Sequence, residues 1–224
     1  MSSNEIYYRY ARKEMANFLP DKYTLVLEIG CAEGNFTDNF KQGVEIWGIE
    51  LNSDAAEKAK KKMHCILIGK YDEVYNKLPN DYFNLVVCND VIEHMEDHDF
   101  FFSSVRRKMK DNGYLVGSIP NVRYYYNLKS LLLKRDWKYT DAGILDRTHL
   151  RFFTDISIKR TLEKHAFSIE RYEGINKLQL NSFSLESILN HAVIYSAIAM
   201  TLGSYNDIRY LQFGFRARKT SRSN

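Results

Sequence analysis

Two histidines and a set of acids and arginines carry the chemistry that this chain offers. His94 follows the apolar run Phe83-Asn84-Leu85-Val86-Val87-Cys88, and His149 stands between Arg147 and Arg151. An imidazole titrates near neutrality and is the commonest side chain to take a proton from a reacting hydroxyl. His149 and His94 are therefore the candidate catalytic bases. The competing role for His94 is a helix-start residue bonded to backbone; for His149 it is a structural or solvated residue in a basic loop. Arg123, Arg147 and Arg151 have planar forks that suit a carboxylate or phosphate, or else make surface salt bridges. Tyr124, followed by Tyr125 and Tyr126, offers aromatic faces to a sugar or ring, or packs the core. His64, His98, His165 and His191 fall on expected strands or helices with no visible partner, and structural roles are expected for them.

A second constellation surrounds a turn. In Val26-Leu27-Glu28-Ile29-Gly30-Cys31-Ala32-Glu33-Gly34 an apolar run meets an acid and then two glycines three residues apart. A second apolar run, Glu45-Ile46-Trp47-Gly48-Ile49, ends in Glu50. Strand, glycine turn, helix, strand and acid form the pattern of a nucleoside-binding βαβ unit, the acid being placed for two ribose hydroxyls. A dinucleotide fold wants a third glycine, but Ala32 stands at the middle position and Asn35 at the last. A phosphate loop wants Lys-Ser/Thr after its final glycine, but Asn35-Phe36 follows Gly34. Glu28 and Glu33 suit a cation better than a phosphate. A sulfonium nucleoside such as S-adenosylmethionine meets these requirements; a nicotinamide dinucleotide does not.

Those elements need a scaffold. The chain has 224 residues and a formal net charge of +4, enough for one domain with a sizeable core and too mildly charged to demand nucleic acid. Cys31, Cys65 and Cys88 lie in or beside apolar runs without metal-ligand spacing. They read as reduced thiols, no metal is expected, and a cytoplasmic location follows. Residues 1–20 are charged throughout, so no secretory leader is expected. Hydrophobic periodicity predicts a helix over 5–19, strands over 25–29, 45–49, 64–68, 83–88, 114–119, 167–172 and 211–217, and helices over 35–41, 53–62, 71–78, 100–110 and 156–165. Ser53 is the expected cap of the 53–62 helix, and Asp111-Asn112-Gly113 an expected turn. From Asn121 the alternation stops, and residues 121–154 are expected to form a helical lid over the carboxyl edge of the sheet. Residues 184–202 form a further helix. Its apolar stretch is too short to span a membrane, and it is expected to pack on the core or to make a homodimer. Residues 219–224 read as a flexible tail.

The Glu28-x-Gly30-x-x-x-Gly34 turn resembles that of the class I S-adenosylmethionine-dependent methyltransferases. The segment Tyr82-Phe83-Asn84-Leu85-Val86-Val87-Cys88-Asn89-Asp90-Val91-Ile92-Glu93-His94 is similar to their fourth-strand motif. The resemblance runs over residues 25–172. The segment from Gly143 through Thr154 looks like a subgroup that methylates bacterial glycans and small molecules. Taken with the element order, this implies a single α/β domain: a Rossmann-like, seven-stranded, mostly parallel sheet with helices on both faces, its last strand antiparallel, and a helical lid after strand five. It also implies S-adenosyl-L-methionine as cofactor, held by Glu28, Gly30 and Gly34 at the methionine moiety, by Glu50 with Leu51 at the ribose, and by Asn89 through its backbone carbonyl. Relatives carry Gly-Asp after strand three, whereas here Lys70 follows Gly69; Asp72 or a backbone group is left for adenine. Arg123, Tyr124, Arg147 and Arg151 would bind an acceptor, and Tyr7 and Tyr8 would close over the cofactor. The expected activity is methylation of a small polar acceptor, most simply O-methylation of a sugar, sugar nucleotide or related metabolite. The alternative is a non-catalytic, methyltransferase-like regulatory subunit. An Asn-Pro-Pro-Tyr motif is absent after strand four, which disfavours methylation of nucleic-acid amines.

Overall fold

The apolar runs pair side by side because β-branched and aromatic residues shed water from both faces of a sheet at once. The computed structural model describes residues 11–179 and 184–221. Its strands are β1 (Leu25–Ile29), β2 (Glu45–Glu50), β3 (Cys65–Ile68), β4 (Phe83–Asn89), β5 (Met109–Pro120), β6 (Phe167–Lys177) and β7 (Tyr210–Lys219). The helices are α1 (Lys13–Ala16), α2 (Ser53–Ala59), α3 (Tyr71–Val74), α4 (His98–Lys108), α5 (Tyr125–Lys129), α6 (Asp155–Lys164) and α7 (Leu185–Met200).

The seven strands form one sheet in the order β3-β2-β1-β4-β5-β7-β6. β1 pairs in parallel with both β2 and β4, and β7 runs antiparallel to both β5 and β6. The expected Rossmann-like sheet with its antiparallel last strand is thus present. The chain leaves β1 toward β2 on one side and returns to β4 on the other, which opens a crevice at their carboxyl ends where open α/β sheets bind ligands.

Two cores flank the sheet. One gathers Leu27, Val86, Phe101, Phe102, Ile158 and Phe215; the other gathers Met15, Phe18, Val26, Phe36, Leu85 and Val87. Val26 and Leu27, neighbours on β1, supply opposite faces, as the two-residue period of a strand requires. A third, smaller cluster of Tyr125, Ile194 and Ile208 holds α7 against α5. Among the described residues no helix is long and apolar enough to cross a membrane.

Several boundaries differ from expectation for local reasons. Only Lys13–Ala16 is helical in the described part of the first expected helix, because Arg12 takes a left-handed conformation at φ 48°. Residues 1–10, with Tyr7 and Tyr8, lie outside the described residues. The stretch after the glycine turn winds as a 3₁₀ helix, Asn35–Asn39. α2 is capped by Asn52, not Ser53: its side chain accepts from the amides of Asp54 (2.9 Å) and Ala55 (3.0 Å). Asp111-Asn112-Gly113 is absorbed into β5 at a register shift opposite Phe83 and Leu85, with Asn112 at φ 61°. β7 continues through Lys219, so the expected tail begins as strand.

Candidate active site

The glycine turn is shaped by backbone conformations that side chains resist. Gly30 has φ 73° and Gly34 φ 74°, and Ala32 between them is also left-handed at φ 49°. A Cβ on Gly30 would meet Val91 Cγ2 at 2.7 Å, so this residue is fixed by both conformation and space. The amides of Gly30 and Cys31 donate to the carbonyl of Ile49 at 2.8 and 3.1 Å, which ties the turn to β2.

Glu50 completes that tie. Its two carboxylate oxygens accept from the amides of Ala32 and Asn52, each at 2.8 Å, and the residue is buried. Each oxygen keeps a lone pair, so the carboxylate is pre-oriented toward a ligand lying over the turn. Glu28, on β1 two residues before Gly30, is buried and its Oε2 has no hydrogen-bond partner. Burial first, then the charge of Glu50, hold its carboxyl well above the usual range, with Lys62 opposing. Asn89, at the end of β4, likewise has a buried Oδ1 with no partner. Orphaned buried acceptors are rare and call for a ligand donor.

These residues line one cavity of about 1250 Å³ at the crevice. Glu28, Gly30, Glu50, Leu51, Asp72, Asn89, His94, Arg147 and His149 all border it, as do Arg12, Asp90, Glu93 and Asp146. The volume exceeds the roughly 300–1000 Å³ of a pocket for one small ligand and leaves room for a cofactor and an acceptor together. Gly34 lies behind the turn, where a Cβ would meet Ala59 at 3.3 Å. Leu51 and Asp72 are exposed at the rim.

The segment 121–154 is helical only over Tyr125–Lys129 and Ser130–Lys134, and its Asp141, Gly143, Ile144 and residues 146–150 border the other end of the cavity. Its start and finish are joined by the isolated bridge between Asn121 and Phe153. Its far side docks where the amides of Leu150 and Arg151 donate to the carbonyl of Glu93 at 2.8 and 3.2 Å. His149 is thereby laid against His94, their ring centroids 4.8 Å apart. His94 donates from Nδ1 to the carbonyl of Thr148 (3.1 Å), and His149 donates from Nδ1 to the carbonyl of Ile144 (2.9 Å). A carbonyl can only accept, so each ring presents the lone pair of Nε2 when neutral. Burial first, then the neighbouring His149, lower the pKa of His94.

The arginines divide. Arg147 borders the cavity and pairs with Asp141 at 3.1 Å. Arg123 does not border it: its fork grips Asp207 at 2.6 and 3.3 Å and lies over the ring of Tyr205. Arg151 is also outside the lining, its Nη1 donating to the carbonyl of Leu150. Tyr124 borders a separate shallow groove of about 210 Å³ with Tyr126 and Lys138.

Residues not anticipated complete the site. Arg12 clamps Asp90 and donates to Ser118 Oγ at 3.0 Å, and Asp90 also accepts from Ser118 and Gln212, each at 2.8 Å. This network fixes the bend after β4, where Asp90 is left-handed at φ 54°. Glu93 is 1% exposed, and neither carboxylate oxygen has a hydrogen-bond partner. Glu93, His94 and His149 place three ligand-type atoms within 4.8 Å of one another, a grouping able to hold a cation. Asp90, Glu93 and His94 are spaced like a strand-end motif in the sequence, but only the fold brings His149 to them.

The family model described as "Methyltransferase domain" matches residues 4–172. Over 99 residues the chain is 30% identical to the mitochondrial ubiquinone biosynthesis O-methyltransferase of Schizosaccharomyces pombe, covering 41% of this chain and 36% of that protein. Over 192 residues it is 21% identical to the ubiquinone biosynthesis O-methyltransferase of Nitrobacter winogradskyi, covering 77% of this chain and 69% of that protein. A crystal structure of a SAM-dependent methyltransferase from Archaeoglobus fulgidus shares the fold with a TM-score of 0.62 at 24% identity, covering 97% of this chain and 95% of that one. The acid-and-glycine turn, the orphaned acceptors facing one cavity and the match over most of the chain agree: this chain belongs to the methyltransferase-domain family, within the class I S-adenosylmethionine-dependent methyltransferases, and S-adenosylmethionine is its cofactor.

Proposed function

We propose that the protein transfers a methyl group to a hydroxyl oxygen of a small polar acceptor, a sugar, sugar nucleotide or related metabolite. When bound, S-adenosylmethionine supplies an electrophilic methyl carbon on a sulfonium, and the sulfur leaves neutral. The residues of this chain then have three tasks. Glu50 and the Gly30–Gly34 turn seat the nucleoside, and Glu28 and Asn89 offer acceptors for the amino-acid end. The lid excludes water and brings the acceptor up in line. At the cluster of Glu93, His94 and His149 the acceptor hydroxyl gives its proton to the Nε2 lone pair of His149 or His94, which makes its oxygen the better nucleophile.

The observation that carries this reading is the histidine pair. Both rings are anchored through Nδ1 to backbone carbonyls, and both border the cavity that holds the turn and Glu50. The curated relatives are named for O-methylation, which supports oxygen over nitrogen. Arg147 at the cavity border supports an acceptor with an anionic group. Three free cysteines, two of them buried, fit work in a reducing cytoplasm.

The test is formation of S-adenosylhomocysteine with a panel of hydroxylated sugars, sugar nucleotides and phenols. Once an acceptor is found, His149→Ala should lower turnover by ~10²–10⁴ while leaving S-adenosylhomocysteine affinity intact. Full turnover in that variant, with chemistry rate-limiting, overturns the role of the cluster.

A further inference from the structure

We propose that the groove bordered by Tyr124, Tyr126 and Lys138 is a second subsite for the acceptor, and that the acceptor is a sugar nucleotide: its base lies in this groove while its sugar reaches the histidine pair. The subsite rests on the O-methyl transfer proposed for the cavity and names the acceptor class within it. Continuity is the first support. Ile144 and Leu211 line both the groove and the main cavity, so the two share a wall and one molecule can lie across it. The groove holds about 210 Å³, below the roughly 300–1000 Å³ of a site for a whole small ligand. It is sized for one ring system, as an annex of the cavity.

The lining is the second support. Of three consecutive tyrosines, Tyr125 serves the core: it is buried, and its hydroxyl donates to Asn190 Oδ1 at 3.1 Å. Tyr124 and Tyr126 border the groove instead, their ring centroids 5.8 Å apart and their planes at 60°. A tyrosine face is a stacking platform for any base, since every base has a π-face. Asn127 and Thr140, also in the lining, add polar groups for a base edge or a ribose.

Charge is the third support, and it selects the class. Lys138 borders the groove and Arg147 borders the cavity, so a cation stands on each side of the shared wall. Their segments are tied together: the amide of Thr140 donates to the carbonyl of Leu145 at 2.9 Å, and the amide of Arg147 to the carbonyl of Thr140 at 3.1 Å. Lys138 is exposed and has no ion pair among the described residues. Arg147 pairs with Asp141, but the two side chains are 68% and 91% exposed, and such a surface pair is worth little. A diphosphate crossing the wall meets both, the arginine as a fork and the lysine as a point charge. A neutral glycan or a phenol would stack on the tyrosines and leave both cations unused.

The subsite can be read without methyl transfer. Protein saturated with S-adenosylhomocysteine, so that the nucleoside site at the glycine turn is filled, is titrated by calorimetry with uridine diphosphate and with adenosine diphosphate. One equivalent of at least one of them should bind. The matching free nucleoside and inorganic pyrophosphate should each bind at least about tenfold more weakly, since each engages only part of the subsite. Tyr126→Ala and Lys138→Ala should each weaken nucleoside diphosphate binding by about 5- to 100-fold. Tyr126→Phe, which keeps the ring, should bind as the parent does, and so should Lys134→Ala, which removes a cation outside both linings. Unchanged S-adenosylhomocysteine affinity reports that the variants are folded. Absence of nucleoside diphosphate binding to the loaded parent overturns the proposal. So does equal binding by parent and folded Tyr126→Ala and Lys138→Ala variants, or pyrophosphate binding as tight as that of the nucleoside diphosphate. Methylation of free sugars or phenols without nucleotide binding would remove the subsite and leave O-methyl transfer standing; nucleotide binding with no transfer to any hydroxyl would do the reverse.

Discussion

Replacing Glu50 by alanine should weaken cofactor binding by a calculable amount. The carboxylate accepts two backbone hydrogen bonds, from Ala32 and Asn52, both at 2.8 Å. It therefore arrives at the ligand already fixed, and its remaining lone pairs are free for ribose hydroxyls. A hydrogen bond to a charged group contributes about 1.5–3 kcal/mol. Losing one net bond of that kind lowers affinity roughly 10- to 150-fold. A second effect runs the same way, since the amide of Ala32 loses its partner and the left-handed turn at φ 49° loses a restraint. Glu50→Gln separates the two: the amide oxygen can still hold one backbone N–H, but charge is gone, so its loss should be smaller. The assay is calorimetric titration of each variant with S-adenosylhomocysteine, with thermal unfolding as a check on folding. A folded Glu50→Ala protein that binds within about twofold of the parent would remove Glu50 from the nucleoside site.

Three further outcomes are expected. Gly30→Val should abolish S-adenosylhomocysteine binding, because its φ of 73° disfavours a side chain and a Cβ would meet Val91 Cγ2 at 2.7 Å; normal binding by that variant would misplace the turn. Cofactor binding should release protons: burial, then the charge of Glu50, raise the pKa of the Glu28 carboxyl, and a cationic ligand nearby lowers it again. The free protein thus binds more protons than the complex, so affinity should rise with pH until the carboxyl of the free protein is ionised. Calorimetry in buffers of different ionisation enthalpy measures the release, and equal heats in all buffers would refute it. Arg147→Ala should raise the KM for an anionic acceptor with kcat unchanged if it supplies uniform binding, which steady-state kinetics on the identified acceptor would detect.

The turn and sheet were legible because their signals are local. Glu28, Gly30, Gly34 and Glu50 sit at spacings set by one βαβ unit, and each strand from β1 to β5 is a short apolar run between breakers. The outer half of β6, residues 173–177, was under-read, because apart from the buried Ile175 it lacks large apolar residues and is held as strand by antiparallel pairing with β7 rather than by composition. Ser53 is not the cap because Asn52, one residue earlier, makes the capping bonds with its longer side chain. The acceptor end was read only in part. His94 and His149 are far apart in sequence, and their meeting depends on the lid docking on the Glu93 carbonyl. Glu93 looked like one acid among 28 Asp and Glu; only its burial without a partner separates it from the others. Arg123 had the right residue type for an anion but was claimed by Asp207, 84 positions away.

The central claim is that a methyl group passes from the cofactor seated on the Gly30–Gly34 turn to an acceptor oxygen at the Glu93, His94 and His149 end of the same cavity. Mass spectrometry of products from S-adenosylmethionine carrying a trideuterated methyl, run with hydroxyl and amine acceptors side by side, tests it most directly. The account predicts a trideuteromethyl ether on oxygen, one S-adenosylhomocysteine formed per ether, and loss of that product in His149→Ala protein that still binds S-adenosylhomocysteine. Label found only on nitrogen, or tight cofactor binding with no transfer to any hydroxyl, would contradict it.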